Sequence, residues 1–382
     1  MKDGGKRMRR IVILAVAAVL MAALTLSVGT NAATTFKIGG LASLQLSYGK
    51  SMTSGAKLAI DEINAAGGVN GIKFEIDWQD SEGTASTGRT AAQKLIYGSK
   101  VDAILGCHAS TVVLGIEGMV KEAGILEVAM GSATAVTALG NPWIARVREP
   151  DLLTASVLAN FIIDVKKYTK IAIFHMSEQY GVGGKDNMVA ALQKKGIAPT
   201  LVVAHNPNDT DYSSQLLNIK KAGAQAMVIF SGLPDQGIMV KQARQLIPEV
   251  EIFMSSVGAT QSFMDAAGAA ANGAYAVVTY TNDNPDPKVQ KFVEAHKKAF
   301  GVPPYDFFDP LAYDAVMMLA EAVKKAGGID HKKVRDAFFQ IKNYQGATGL
   351  SYTVLPNGET INELLLVMIK DGKHVVIQKV SG

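Results

Sequence analysis

From Phe36 onward, short apolar runs alternate with amphipathic segments of helical period, and this alternation limits the fold more than any other feature of the chain. Strands are expected at Phe36–Leu41, Lys73–Trp78, Val101–Leu105, Ile125–Ala129, Ile171–Phe174, Leu201–Ala204, Ala226–Phe230, Ile252–Met254 and Ala274–Val278. Between the first two lies a helix near Gly49–Ala66, where Met52, Ala56, Ala59, Ile60 and Ile63 recur at three- and four-residue steps and form one apolar stripe. Ala65-Ala66-Gly67-Gly68 supplies its stop. The same logic places helices near Ser86–Tyr97, Thr111–Ala123, Leu152–Lys166, Gly184–Lys195, Tyr212–Ala222 and Asp235–Leu246. Repeated βα alternation requires parallel sheets flanked by helices on both faces. It runs to about Arg146 and again from about Lys170, before a helical region at Pro287–Ile341 and strand-like Leu364–Lys370 and His374–Lys379. Asn282-Asp283-Asn284-Pro285-Asp286-Pro287 is the clearest break. The expectation is an α/β protein of two lobes, with the chain passing between them more than once. Ligands of open α/β sheets sit beyond the carboxyl ends of the strands, which between two facing lobes is a cleft.

The first 32 residues stand apart. Lys2, Lys6, Arg7, Arg9 and Arg10 form a basic head, Ile11–Leu26 an apolar core, and Thr30-Asn31-Ala32 a small-residue end. These are the three parts of a secretory signal peptide, with cleavage expected after Ala32. The alternative is an uncleaved anchor, for which the apolar core is short of the roughly 20 residues that a span needs. The segment has no Cys to carry a lipid. Five of the 38 basic and one of the 34 acidic residues lie in it, leaving 33 of each and no basic block to attract nucleic acid. Cys107 is the single cysteine, so no intramolecular disulfide can form. Residues 33–382 exceed one ordinary core and fit two domains. A soluble protein outside the cytoplasm is expected.

Two turns carry the functional signal. Gly106-Cys107-His108-Ala109-Ser110-Thr111 and Gly131-Ser132-Ala133-Thr134 each follow an expected strand and place hydroxyl groups where a helix begins. Free N–H groups and the positive end of the dipole converge there, which suits a carboxylate. Singly, Ser110 and Thr134 read as plain helix caps; paired after neighbouring strands, they read as ligand contacts. Tyr48 and Tyr180 each precede a Gly in strand-to-helix loops, where they either pack on the surface or line the cleft. His108 shares the first turn and reads as a packed or solvent-facing residue ahead of a ligand contact. Catalytic signatures fail on inspection. Ser47-Tyr48-Gly49-Lys50 fits S-x-x-K without its companion elements. Gly181-Val182-Gly183-Gly184-Lys185 lacks the phosphate-loop spacing and reads as a glycine-rich turn before a helix. Neither G-x-S-x-G nor H-E-x-x-H occurs, and the six His are scattered, so no metal or cofactor is expected.

Tyr48-Gly49, Gly55-Ala56 and the run Ala59-Ile60-Asp61-Glu62-Ile63-Asn64-Ala65-Ala66-Gly67-Gly68-Val69-Asn70-Gly71 strongly resemble the leucine/isoleucine/valine-binding family of ABC-importer receptors. Ser110-Thr111, Gly124-Ile125-Leu126, Ser132-Ala133-Thr134, Tyr180-Gly181 and Leu311-Ala312-Tyr313-Asp314-Ala315-Val316 extend the likeness over essentially the whole chain beyond the signal segment. The resemblance implies a type I periplasmic binding fold of two Rossmann-like lobes with a three-crossing hinge, here near Arg148, Tyr280 and Gly349. Lobe 1 would comprise residues 33–148 and 281–349, and lobe 2 residues 149–280 and 350–382. It also implies that Ser110, Ser132 and Thr134, with Thr111 in the same turn, hold a ligand carboxylate, and that Tyr48 and Tyr180 enclose the rest. Where the family's amino-acid binders carry an acidic residue for the ligand ammonium, this chain places Val257; where they carry a tyrosine, it places Leu233. A buried ammonium without a charged partner would cost several kcal/mol, so a hydrophobic or aromatic carboxylate competes with an amino acid, unless Asp306 or Glu149 takes that role.

The resemblance implies the substrate-binding protein of an ABC importer, not an enzyme. It would act as a monomer that takes a small carboxylate-bearing ligand to membrane permease subunits. A ligand-sensing protein reporting to a signalling partner is the alternative, and a secreted hydrolase would need a nucleophile–base pair.

Overall fold

The computed structural model describes residues 34–360 and 363–381; the expected signal segment, 1–32, lies outside them. The first sheet contains β1 (Thr35–Ala42), β2 (Lys73–Asp80), β3 (Ala103–Gly106), β4 (Leu126–Ala129) and β5 (Ile144–Arg146) in the order β2-β1-β3-β4-β5. The β1–β3, β3–β4 and β4–β5 pairings are parallel. The connecting helices are α1 (Ser47–Ala65), α2 (Ala85–Gln93, continued by a π turn over Lys94–Ser99), α3 (Ser110–Ala123) and α4 (Ala135–Ala138). The stripe Met52, Ala56, Ala59, Ile60 and Ile63 is buried, as its period requires.

The chain then forms α5 (Asp151–Asn160, continued by a π turn over Phe161–Val165), β6 (Ile171–Met176), α6 (Gln179–Lys194), β7 (Leu201–His205), α7 (Ser213–Lys221), β8 (Ala226–Phe230), α8 (Asp235–Leu246), β9 (Glu251–Met254), α9 (Gln261–Ala267) and β10 (Tyr275–Val278). The expected helical region resolves into α10 (Pro287–Phe300), α11 (Phe308–Ala326) and α12 (His331–Phe338), because Gly301 and Gly327 end the first two in left-handed caps. A small hairpin of β11 (Tyr344–Gln345) and β12 (Ser351–Tyr352) precedes β13 (Glu363–Lys370) and β14 (Lys373–Ser381). The second sheet has the order β14-β13-β10-β9-β8-β6-β7. Its β7, β6, β8, β9 and β10 are parallel neighbours, and β13 and β14 add antiparallel strands at one side.

The chain moves to the second sheet after β5 and returns after β10, since α10 and α11 pack on α1. Its third passage comes later than Gly349. The outer side of β5 has no strand partner and takes up the segment before β13: Arg146 N–H donates to the Gly358 carbonyl at 2.7 Å, and the Thr360 hydroxyl donates to the Arg146 carbonyl. The buried Arg146 guanidinium forms an ion pair with Glu359 there. The chain is therefore still on the first sheet at Thr360 and joins the second at Glu363.

Helices α1 and α6 begin earlier than their apolar stripes suggest. Tyr48 and Tyr180 consequently stand in first helical turns, not in loops, and Gly181–Gly184 is helical, not a turn before the helix. The reason is the same in both halves. A Cβ at Gly49 would lie 2.2 Å from the Ser43 carbonyl oxygen, and one at Gly181 would lie 2.1 Å from that of Met176. Glycine lets each helix start directly against the end of its strand.

Candidate ligand-binding site

Between the two sheets lies a cleft of about 220 Å³, small for a ligand site. Its walls follow the carboxyl ends of strands from both sheets: Ser43 to Tyr48 after β1, Glu82 to Thr84 after β2, His108 to Thr111 after β3, Glu178 and Tyr180 after β6, Asn208 after β7, Leu233 and Asp235 after β8, and Val257 after β9. This is the placement that parallel α/β sheets dictate. Of the residues singled out in the sequence, Tyr48, Ser110, Thr111, Tyr180, Leu233 and Val257 line the cleft; Ser132 and Thr134 do not.

The two hydroxyl turns differ. After β3, Ser110 is the first residue of the fourteen-residue α3, so a full helix directs its N-terminal N–H groups to this place. Ser110 does not cap that helix. Its Oγ accepts the Ala133 N–H at 3.1 Å, which ties the first turn to the second. Gly131 makes the closeness possible, because a Cβ there would stand 3.0 Å from Ser110 Cα and Oγ. Thr111, half-buried, lines the cleft. After β4, α4 has only four residues and no side-chain cap, so this turn lacks the helical N-terminus expected of it. Ser132 is fully buried, and its carbonyl accepts the Asp151 N–H at 2.9 Å. Thr134 Oγ1 accepts from Asn187 Nδ2 at 2.9 Å, a contact to α6 of the second half.

Aromatic rings form one wall. Tyr48 lies 5.1 Å from His108 and 5.5 Å from Phe308 between ring centroids, and His108 lies 6.0 Å from Phe308. Burial, reinforced by Arg148, pushes His108 down to about 3, so the imidazole is neutral. Burial also drives the Tyr48 and Tyr180 phenols far above their ordinary range, leaving both as neutral hydrogen-bonding groups. The Tyr48 hydroxyl accepts the Leu233 N–H at 2.9 Å across the cleft, and the Tyr180 hydroxyl bonds the Ser255 hydroxyl.

Arg148, expected only as a hinge position, also lines the cleft. Its Nε donates to Glu149 Oε1 at 3.2 Å, Nη2 to Ser256 Oγ at 2.9 Å, and Nη1 to the Met130 carbonyl at 3.4 Å. The guanidinium stands 5.3 Å from the Phe307 ring centroid and 5.2 Å from that of Phe308. Burial alone would lower its pKa, but Glu149, Tyr180 and Asp151 together hold it above the ordinary arginine range. Sequence reasoning missed this role because an arginine between two elements ordinarily faces solvent.

The acidic residues are also redistributed. Glu149 is engaged with Arg148, and Asp306 accepts the Phe308 N–H at 2.8 Å; neither lines the cleft. Glu82, Glu178 and Asp235 do. Burial and the Asp235 charge raise the Glu178 pKa, and burial raises that of Asp235, whose Oδ2 accepts the Asn208 N–H at 3.0 Å. The cleft thus has carboxyl groups at positions other than the one Val257 occupies.

A serine–histidine pair exists: Ser231 Oγ and His205 Nε2 are 2.9 Å apart. Ser231 is fully buried and outside the cleft lining. Among the described residues no cluster of His, Cys, Asp or Glu could hold a metal ion, and no helix is long and apolar enough to cross a membrane.

A family model described as periplasmic binding protein matches residues 35–373. The leucine-, isoleucine-, valine-, threonine- and alanine-binding protein of Pseudomonas aeruginosa is 30% identical over 306 residues, covering 79% of this chain and 80% of that protein. Among solved structures, a leucine-binding protein of Thermotoga maritima superposes with a TM-score of 0.83 at 25% identity, covering 90% of this chain and 98% of that one. A solute-binding protein of an ABC transporter from Rhodopseudomonas palustris, solved with 3,4-dihydroxybenzoic acid, gives a TM-score of 0.82 at 22% identity over 91% and 97% of the two chains, a likeness of fold alone. By the span of the family model and the identity to its relatives, this chain belongs to the periplasmic binding protein family, in its leucine/isoleucine/valine-binding branch.

Proposed function

We propose that the protein is the substrate-binding component of an ABC importer, which captures a small carboxylate-bearing ligand between its two halves and delivers it to membrane permease subunits. The single observation behind this reading is the cleft itself, where the start of α3, the Thr111 hydroxyl and Arg148 meet Tyr48 and Tyr180 from opposite halves. All of these are hydrogen-bond donors or apolar surfaces, and together they suit binding of an anion more than reaction with it. The named ligands of the relatives, amino acids on one side and an aromatic acid on the other, share only the carboxylate.

In this reading the two sheets with their helices are the lobes, and the segments around Arg148, around Tyr280 and leading to Thr360 are the hinge. Ligand contacts made to both lobes at once favour the closed arrangement. The protein works as a monomer in the periplasm, after removal of residues 1–32. Val257 and Leu233 shape the apolar part of the pocket, and Ser132 and Thr134 support it from behind.

The test is thermal unfolding of the purified protein against a panel of L-amino acids, aromatic acids, keto acids and their uncharged amides. Ligand at a hundred times its Kd adds about 2.7 kcal/mol to stability, so a cognate carboxylate raises Tm clearly while its amide does not. Stabilisation by neutral compounds alone, with every carboxylate inert, would refute the assignment.

A further inference from the structure

We propose that the cleft selects a planar aromatic carboxylate, whose carboxylate is held by the Arg148 fork and whose ring lies against Tyr48, His108 and Phe308. This rests on the carboxylate-binding function proposed above and narrows it to a class of ligand.

The donor count of Arg148 is the first argument. A guanidinium carries five N–H groups, and three are engaged, by Glu149, Ser256 and Met130. Among the described residues the remaining two, one on each terminal nitrogen, have no protein acceptor. A guanidinium that keeps one unspent N–H on each terminal nitrogen can donate to both oxygens of one carboxylate. The fork is also held still. Met130 follows β4 of the first sheet and Ser256 follows β9 of the second, so Arg148 is fixed to both halves, and Phe307 and Phe308 stand beside its guanidinium. Glu149 already balances the formal charge, so the ligand is recognised through hydrogen-bond geometry at a desolvated site more than through net charge.

The second argument is the wall beside it. Tyr48, His108 and Phe308 all line the cleft and touch one another as rings, and Phe308 is itself one of the rings against Arg148. His108 is uncharged throughout the ordinary pH range, so it acts as a flat ring. Across from them, Leu233, Val257 and Met176 offer apolar surface. A guanidinium fork next to three rings, closed by aliphatic side chains, complements an aromatic ring that bears a carboxylate. An α-amino acid is the competing occupant; it would turn its ammonium toward Glu178 and Asp235.

Titration calorimetry on the full-length exported protein separates these possibilities with four probes: benzoate, benzamide, cyclohexanecarboxylate and L-leucine. Benzoate is expected to bind at least tenfold more tightly than benzamide, which keeps the ring and loses the charge. It is also expected to bind severalfold more tightly than cyclohexanecarboxylate, which keeps the charge and loses the flat ring. Arg148→Lys should weaken benzoate at least tenfold, because an ammonium keeps the charge without the fork. An unchanged affinity in a folded Arg148→Lys protein overturns the role of Arg148. If that variant does not fold, the benzoate-to-benzamide ratio of the wild type decides, and a ratio near one overturns it equally. L-leucine binding above benzoate overturns the aromatic class and leaves the carboxylate-binding function intact. Failure of every carboxylate, in these probes and in the wider panel, overturns both.

Discussion

The turns after β3 and β4 are near-copies in sequence and opposites in use. Both end a parallel strand, both carry glycine and hydroxyl residues, and the strands are neighbours. The first opens a fourteen-residue helix and faces the cleft; the second opens a four-residue one and stands behind it. The Ser110–Ala133 bond joins them, so the second turn sets the shape of the first. Thr111 lines the cleft, whereas Ser110 Oγ accepts the Ala133 N–H, Thr134 Oγ1 accepts from Asn187, and Ser132 is buried away from the cleft; on the function proposed above, Thr111 is therefore the expected ligand contact of the two turns.

The comparison can be broken most easily at Thr111. Thr111→Val keeps the shape and removes the hydroxyl, and hydrogen bonds to charged groups are worth about 1.5–3 kcal/mol. Affinity for the cognate carboxylate should fall roughly ten- to a hundredfold by calorimetry, with the unfolding midpoint nearly unchanged. Ser110→Ala acts in the other direction. It leaves the Ala133 N–H without its acceptor, so denaturant unfolding should report a loss of about 1–3 kcal/mol, and affinity should fall less than in Thr111→Val. Thr134→Val removes only the bond from Asn187 and should weaken ligand binding by about 0.5–1.5 kcal/mol through the joined form of the two halves. Ser132→Ala should change affinity by under about 0.5 kcal/mol. If Ser132→Ala instead matched Thr111→Val, the two turns would be equal partners and the distinction drawn between them would be lost.

The sequence was most legible where a run had no competing reading. Ala226–Phe230 and Asp235–Leu246 were placed to the residue, because the first is an unbroken apolar strand and the second a periodic helix entered through Pro234. The three residues of β5 were not seen. Ile144-Ala145-Arg146 is too short for any period, and a fully buried arginine in a strand makes sense only once Glu359, over two hundred residues away, is known to meet it. The late third passage has the same origin. Six of the eight expected residues line the cleft, since loops after parallel strands converge wherever the strands do. What pattern could not convey was which hydroxyls were already bonded. It also could not convey that Arg148 would be held inside the protein by two aromatic rings, a glutamate and a serine.

Hydrogen bonds that run from protein to protein across the two halves include Leu233 to Tyr48, Asn187 to Thr134, and the Tyr305 hydroxyl to Asp265 at 2.7 Å. Their contribution is the same whatever occupies the cleft. In a hinged binding protein such bonds set the resting balance between open and shut, and the observed dissociation constant equals the intrinsic one divided by the competent fraction. Loosening the Tyr48–Leu233 bond would thus weaken every ligand by one common factor, leaving the order of preference among them untouched. Strengthening it would sharpen affinity while letting more unladen molecules adopt the closed arrangement, which, on the function proposed above, is the form delivered to the permease.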